Sequence, residues 1–408
     1  MSGPIVDDPR LVAEKEGLGG LVNLYRTRLA QGELGQVPVV IGLVVIWAIF
    51  WWASSGAFFN PLNLVNLALQ MAAVGTIAVG VVFVLLLGEI DLTVGIVSGL
   101  CAAVTAVLNV KMGFPGPVAV VAGVAVGMGI GVIHGVWITR FGIPSFVVTL
   151  AGLIGWAGTL LFVLGSTGTL NLADPFITGL AGTFFTGAVA WLMAALFVIY
   201  IAASGYLERR ARIVAGLRAE PLFFIGFRVL VVAIGAAGAI LVFSEDRGLP
   251  LSLVFLVGII VAMDYVARRT RFGRMVFAVG GNAEAARRAG IPVQRVRLAV
   301  FVIASGFAAW GGILAASRLL AVNQSAGSGD VLLNAIAAAV IGGTSLFGGR
   351  GSVWAALLGI VVIQSISNGM DLLSFEPAVK QMITGVVLLA AVTVDAVARR
   401  GRAQAGRV

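Results

Sequence analysis

Glu89 and Asp91 stand two residues apart in Gly88-Glu89-Ile90-Asp91-Leu92-Thr93-Val94-Gly95, a tight turn between long apolar runs. Such a carboxylate pair could do acid–base chemistry, with His134, the chain's only histidine, as the remaining partner. If the three converged, the protein would read as a polytopic enzyme acting on lipid. The sequence does not complete the set: it has no HExxH, no second histidine and no GxSxG nucleophile elbow. A phosphate loop needs glycine followed by Lys-Ser or Lys-Thr, and Lys15, Lys111 and Lys380, the only lysines, follow no glycine. The chain is therefore not its own ATPase. Cys101, alone in an apolar run, leaves no disulfide and no cysteine metal site. No catalytic residue, no metal and no bound cofactor are expected. Glu89 and Asp91 are expected to pair with basic loops, through Arg140 or Arg350, or to cap a helix starting near Leu92. His134 is expected to be packed and hydrogen-bonded.

The remaining polar groups inside or beside apolar runs are neutral. Asn66 and Gln70 lie four residues apart, as do Gln364 and Asn368, so each pair shares a helix face; Asn334 stands in a further run. Buried amides are costly unless paired, so these five either hold helices together or line a wet path. A path built of amides, with hardly any charge in mid-span, suits a neutral polyhydroxylated solute. An ion-coupled secondary transporter of a small neutral solute, the alternative, would need coupling groups near the midplane.

Residues 265–297 form a basic, polar interval between apolar runs. Gly280-Gly281-Asn282 stops one element, and Asn282 can cap a short helix from Ala283 to about Ala289. Glu284 then falls in its first turn and Arg287 and Arg288 near its last, the charge order that a helix dipole favours. Such a helix has no apolar face with which to build a core. It either docks on another surface or is a solvated loop whose arginines fix orientation in a membrane.

These groups have to be held by membrane spans. Of 408 residues, 60% are hydrophobic and 11% charged, against roughly 25% charged in a soluble domain. The mean hydropathy is +1.06. The fold class is all-α: a polytopic membrane protein of about twelve transmembrane helices in a lipid bilayer. Apolar segments run at about 37–53, 64–87, 92–110, 117–138, 143–164, 182–203, 222–243, 249–265, 298–317, 332–346, 352–370 and 378–396, with 332–346 short enough to be broken or re-entrant. Domains follow as a tail at 1–36, a transmembrane body at 37–396 holding the loop at 265–297, and a tail at 397–408. With both termini cytoplasmic, 22 of the 27 Lys and Arg residues fall on the inner side, as the positive-inside rule asks. That placement accounts for the net charge of +9 without nucleic acid. A second glycine-dense turn, Gly342-Gly343-Thr344-Ser345-Leu346-Phe347-Gly348-Gly349-Arg350-Gly351, falls on the same side as the turn at Glu89 and Asp91.

Five stretches carry a resemblance: GEIDLTVG at 88–95, RFGIPSFVVTLAG at 140–152, RTRFGRMVFAVGGNAEAARRAGI at 269–291, VIGGTSLFGGRGSVWAALLG at 340–359 and SNGMDLL at 367–373. The chain resembles the permease subunits of bacterial sugar ABC importers, the ribose, xylose and arabinose group within a wider family that includes branched-chain amino-acid permeases. The extra length around residues 200–262, with DRGLP at 246–250, is most similar to the xylose type. One departure is Glu89, where many relatives read GGIDL.

The resemblance implies a division of labour. Two such permeases, a homodimer, would form the path for a monosaccharide, xylose or a related pentose, across the inner membrane. Two cytosolic ATPases would lie below, using ATP and Mg, and a periplasmic or lipoprotein sugar-binding protein above. The resemblance also implies that Gly280, Gly281, Asn282, Glu284, Arg287, Arg288 and Gly290 form the coupling loop that the ATPase grips. Specificity would rest largely with the binding protein.

Overall fold

The computed structural model describes residues 37–216, 219 and 221–404. The tail at 1–36, with Arg10, Lys15, Arg26 and Arg28, lies outside the described residues, as do Arg218 and Arg407. Each of the twelve apolar segments coincides with one helix: α1 Val37–Ala53, α2 Pro61–Leu86, α3 Val94–Ala106, α4 Gly116–Arg140, α5 Ser145–Leu164, α7 Gly187–Val214, α8 Leu222–Ser244, α9 Leu251–Arg269, α12 Val293–Leu319, α13 Asp330–Ile341, α14 Trp354–Leu372 and α15 Pro377–Gln404. One π-helical turn, Val107–Lys111, prolongs α3. Among the described residues nine of these helices are long and apolar enough to cross a bilayer by length and composition; of the twelve, α1, α13 and α15 are not in that set. Helices α1 and α13 are the short apolar ones. At 1.5 Å per residue, the 12 residues of α13 reach only about 18 Å, against a hydrocarbon core of about 30 Å.

The chain divides into two compact units. The larger takes in Gly35–Phe184 and Pro250–Val397; the smaller includes Phe185–Leu249, whose helices α7 and α8 meet where Gly205 faces Ile225. In the larger unit α2 and α12 are the axis. Helix α2 begins where Asn60 Oδ1 accepts the Leu62 N–H and Pro61 opens the first turn, an arrangement that suits proline's missing donor. It is buried almost from end to end, with Ile77 and Phe83 inside. Helix α12 packs on α2, α3 and α4 through small residues. A Cβ at Gly311 would stand 2.6 Å from the Ala73 carbonyl oxygen, and one at Gly312 would overlap the Ser98 carbonyl. Phe301 of α12 is met by Gly131 of α4. Lipid gives helices no hydrophobic drive to associate, so contact of backbone with backbone supplies the dispersion energy.

Two small features escaped the hydropathy pattern. The strand β1, Thr169–Asn171, pairs antiparallel with β2, Ala321–Asn323, joining the connection after α5 to the connection after α12. Between α5 and α7 lies the eight-residue helix α6, Pro175–Gly182. Asp174 caps it: Oδ1 accepts the N–H groups of Phe176 (2.9 Å) and Ile177 (3.2 Å). Oδ2 accepts from Asn109 (3.1 Å) and from the Gly116 N–H (3.2 Å), so one carboxylate ties the π turn, the start of α4 and the start of α6 together.

Burial works against the charge of Asp174, but the hydrogen bonds from Ile177, Asn109, Phe176 and Gly116 outweigh it and hold the carboxyl below its ordinary range. A depressed pKa contributes stability above the unfolded-state value, and that contribution disappears as pH falls through the folded-state value. Asp174→Asn is therefore expected to melt at lower temperature than the wild type at pH 7. The gap should close as the pH is lowered below about 4, followed by thermal unfolding of the detergent-solubilised protein.

Candidate functional site

Three glycine turns meet at one end of the larger unit. Helix α10, Arg271–Gly281, starts where Thr270 Oγ1 accepts the Gly273 N–H (3.2 Å), and its Gly280 runs against the end of α2, where a Cβ would overlap the Leu86 carbonyl oxygen. The same carbonyl accepts the N–H of Gly349 (2.9 Å). Gly88 and Gly348 adopt φ of 74° and 81°, the left-handed region that glycine enters without strain. A side chain on Gly348 would meet the Gly280 carbonyl oxygen and the Gly88 nitrogen. Behind this contact Gly342 presses on the Ala355 carbonyl and Gly343 turns the chain at φ 104°. The turns at 88, 280 and 348 are thus one backbone junction. Sequence placed all three on the inner side but offered no sign that they interlock.

Immediately after the junction Asn282 Oδ1 accepts the Ala285 N–H (2.9 Å) and opens helix α11, Ala283–Arg288. Glu284 pairs with Arg287 (3.3 Å) and Arg288 (3.2 Å); these side chains are 57%, 63% and 79% exposed, so the helix shows its charges outward. Ala286 is its buried contact. Of the three glycines in this loop, Gly280 alone sits where a side chain of its own would collide with neighbouring backbone. Nothing lies within 4 Å of a Cβ built on Gly281 or Gly290, and Gly290 instead has a φ of 82°.

The acidic turn also resolves differently. Glu89 pairs with Arg297 of α12 (3.0 Å), not with Arg140 or Arg350. Asp91 is buried and accepts from the Thr93 N–H (2.8 Å) and hydroxyl (2.6 Å), bracing the turn that leads into α3. His134 is buried and accepts a hydrogen bond from Trp156 Nε1 (2.9 Å).

At the opposite ends of α2, α12 and α14 lies a cavity of about 340 Å³, lined by Asn63, Asn66, Gln70, Arg318, Asn368, Asp371 and Leu372. Its size falls at the lower end of the roughly 300–1,000 Å³ usual for small-molecule sites. Three of the five amides singled out from sequence, Asn66, Gln70 and Asn368, share this wall. Gln364 and Asn334 are buried and lie off it. Asn63 Nδ2 donates to Asn368 Oδ1 (2.8 Å), clasping α2 to α14, and Lys380 of α15 donates to Asp371. Sequence reading missed Asn63, Arg318 and Asp371. Spacing could have found two of them, since Asn63, Asn66 and Gln70 follow i, i+3, i+7, as do Gln364, Asn368 and Asp371 at i, i+4, i+7. Charge does occur on this wall, at helix ends rather than in mid-span.

A bundle of apolar helices with a polar cavity at one end and a charged helix presented at the other is the architecture of a polytopic membrane protein. A family described as "Branched-chain amino acid transport system / permease component" matches residues 63–392, and the chain belongs to it. This family is one of transport permeases, not of enzymes. The xylose transport system permease protein of Escherichia coli (strain K12) is 35% identical over 366 residues, 90% of this chain and 93% of that protein. The ribose import permease protein of Bacillus subtilis (strain 168) is 31% identical, covering 89% of this chain and 92% of its own. The L-arabinose ABC transporter permease protein of Azospirillum brasilense is 29% identical, covering 91% and 92%. No solved structure matches the chain.

The pair between Glu89 and Arg297 is largely shielded, at 14% and 30% side-chain exposure. Removing one partner of such a pair costs more than removing both, because a charge is left without its counterpart. Glu89→Gly and Arg297→Gln are each expected to lower stability, while the double variant loses less than the sum, with a coupling of about 0.5–3 kcal/mol in denaturant melts.

Proposed function

We propose that this chain is the membrane-spanning subunit of an ATP-binding-cassette importer carrying a monosaccharide, xylose or a related pentose, across the bacterial inner membrane. Two copies form the path. A separate cytosolic ATPase pair uses ATP and Mg and grips α11, and a sugar-binding protein delivers substrate from outside. Both termini are cytoplasmic, which puts α11 and the glycine junction inside and the cavity outside, in keeping with the positive-inside rule. The pentose assignment leans on the similarity to the xylose permease over nine-tenths of both chains.

The observation that carries the reading is α11 itself. It is a capped, outward-facing charged helix with one buried alanine, set one residue beyond a junction that clamps its base to α2. A helix so exposed and so rigidly rooted is built to be pushed. Force on it reaches α2 through Gly280 and the Leu86 carbonyl, with no flexible linker between.

The ion-coupled alternative would draw on Arg318 and Asp371. Asp371 is already paired with Lys380, and both residues lie within two residues of a helix end. Uptake that needs the ATPase separates the two readings. In a complex reconstituted in vesicles, Arg287→Glu with Arg288→Glu is expected to bring sugar uptake and substrate-stimulated ATP hydrolysis to background. The amount of inserted permease should stay the same. Wild-type uptake by this double variant, or accumulation of sugar by the permease without any ATPase, would overturn the assignment.

A further inference from the structure

Building on the sugar-import reading, we infer that the permease has its own sugar site in the cavity of about 340 Å³, in which Arg318 and Asp371 are specificity-determining residues. The ligand class is a neutral monosaccharide presenting adjacent hydroxyls. The chemistry of the wall selects it. Arg318 is a pure donor, with five N–H groups, and makes no ion pair among the described residues. Asp371 is a pure acceptor whose side chain is half exposed (49%) even while it holds Lys380. Gln70 Oε1 is a buried acceptor with no hydrogen-bond partner among the described residues. Asn368, buried on the same wall, has its Oδ1 fixed as an acceptor by Asn63.

An anion attracted to Arg318 would face the carboxylate of Asp371 and the orphaned oxygen of Gln70. A cation attracted to Asp371 would face Arg318 and Lys380. A hydroxyl group donates and accepts at once, so a neutral ligand carrying several hydroxyls satisfies both kinds of partner in one small volume. A buried polar group left unpaired is costly, which makes such a wall reject analogues that lack the matching hydroxyl. The sugar is then read twice, first by the delivering protein and again by the permease.

The test uses the full complex with its ATPase and sugar-binding protein in vesicles, with radiolabelled D-xylose, D-ribose and L-arabinose. Saturation-transfer NMR of D-xylose on the permease alone in nanodiscs accompanies it. Arg318→Gln and Asp371→Asn are each expected to lower uptake about tenfold, the loss of one charge-assisted hydrogen bond, and to change the order of preference among the three sugars. Both should erase the NMR contact. Arg318→Lys, which keeps the charge and loses the planar fork, replaces Arg318→Gln if that variant fails to insert. If the wild type moves sugar but both variants do so with wild-type rate and preference, the permease does not read the sugar, while the import reading stands. If the wild type moves none of the three, the import reading fails and this inference with it.

Discussion

The structure depends on one steric constraint: the backbone of Gly280 lies directly on the Leu86 carbonyl, in a space where no side chain fits. Around it Gly88, Gly348 and Gly349 are drawn to the same point, and Gly349 donates to that carbonyl. Contacts between backbones are stiff, because no rotamer can yield to relieve a displacement. Three long helices start or end beside this junction and finish at the polar cavity. Helix α2 runs from Asn63, Asn66 and Gln70 to Leu86; α12 runs from Arg297 to Arg318; α14 follows the turn at 342–353 and ends at Asn368 and Asp371. Helix α2 alone, at 26 residues, spans about 39 Å. The two candidate sites are therefore opposite ends of the same rods, and a tilt at one end is a displacement at the other.

Polar chemistry is distributed to match. The junction end holds its charges either outward on α11 or as the shielded pair of Glu89 and Arg297, which fastens the acidic turn to the base of α12. The cavity end keeps amides in contact, Asn63 with Asn368, and a carboxylate in contact with Lys380. Between them α2 and α12 are packed on glycine, alanine and valine, where a charge would carry a heavy desolvation cost. The plan has polar ends and an apolar, closely packed middle.

Much of this is legible in the sequence, for physical reasons. Helices in lipid must satisfy their own backbone, so apolar length alone located twelve helical segments, and Asn282 marked a helix start that the structure capped as expected. The amides Asn66 and Gln70 revealed a polar face because a helix repeats locally. The junction was not legible, since glycine is common in membrane helices and its partners at 88, 280 and 348 lie far apart along the chain. For the same reason the partner of Glu89 was missed: Arg297 is close only in the fold. Arg318 does not stand out in sequence, since only the fold brings it to the same cavity wall as Asp371. The pair β1–β2 is too short to show a period of two, and α13 shows that an apolar segment can be helical without being long enough to span.

The account is tested most directly by whether α11 and α2 move as one body. Spin labels at positions 288 and 62, both exposed, can be placed in the assembled complex, with Cys101 buried and out of reach. Pulsed dipolar distances between them are then measured without nucleotide and with ATP trapped. If the junction is rigid, the mean distance holds to within about 2 Å between the two states while a second pair, at 62 and 372 across the cavity mouth, changes. A distance from 288 to 62 that changes as much as the mouth would show that α11 moves independently of α2, and the proposed transmission through Gly280 would be wrong.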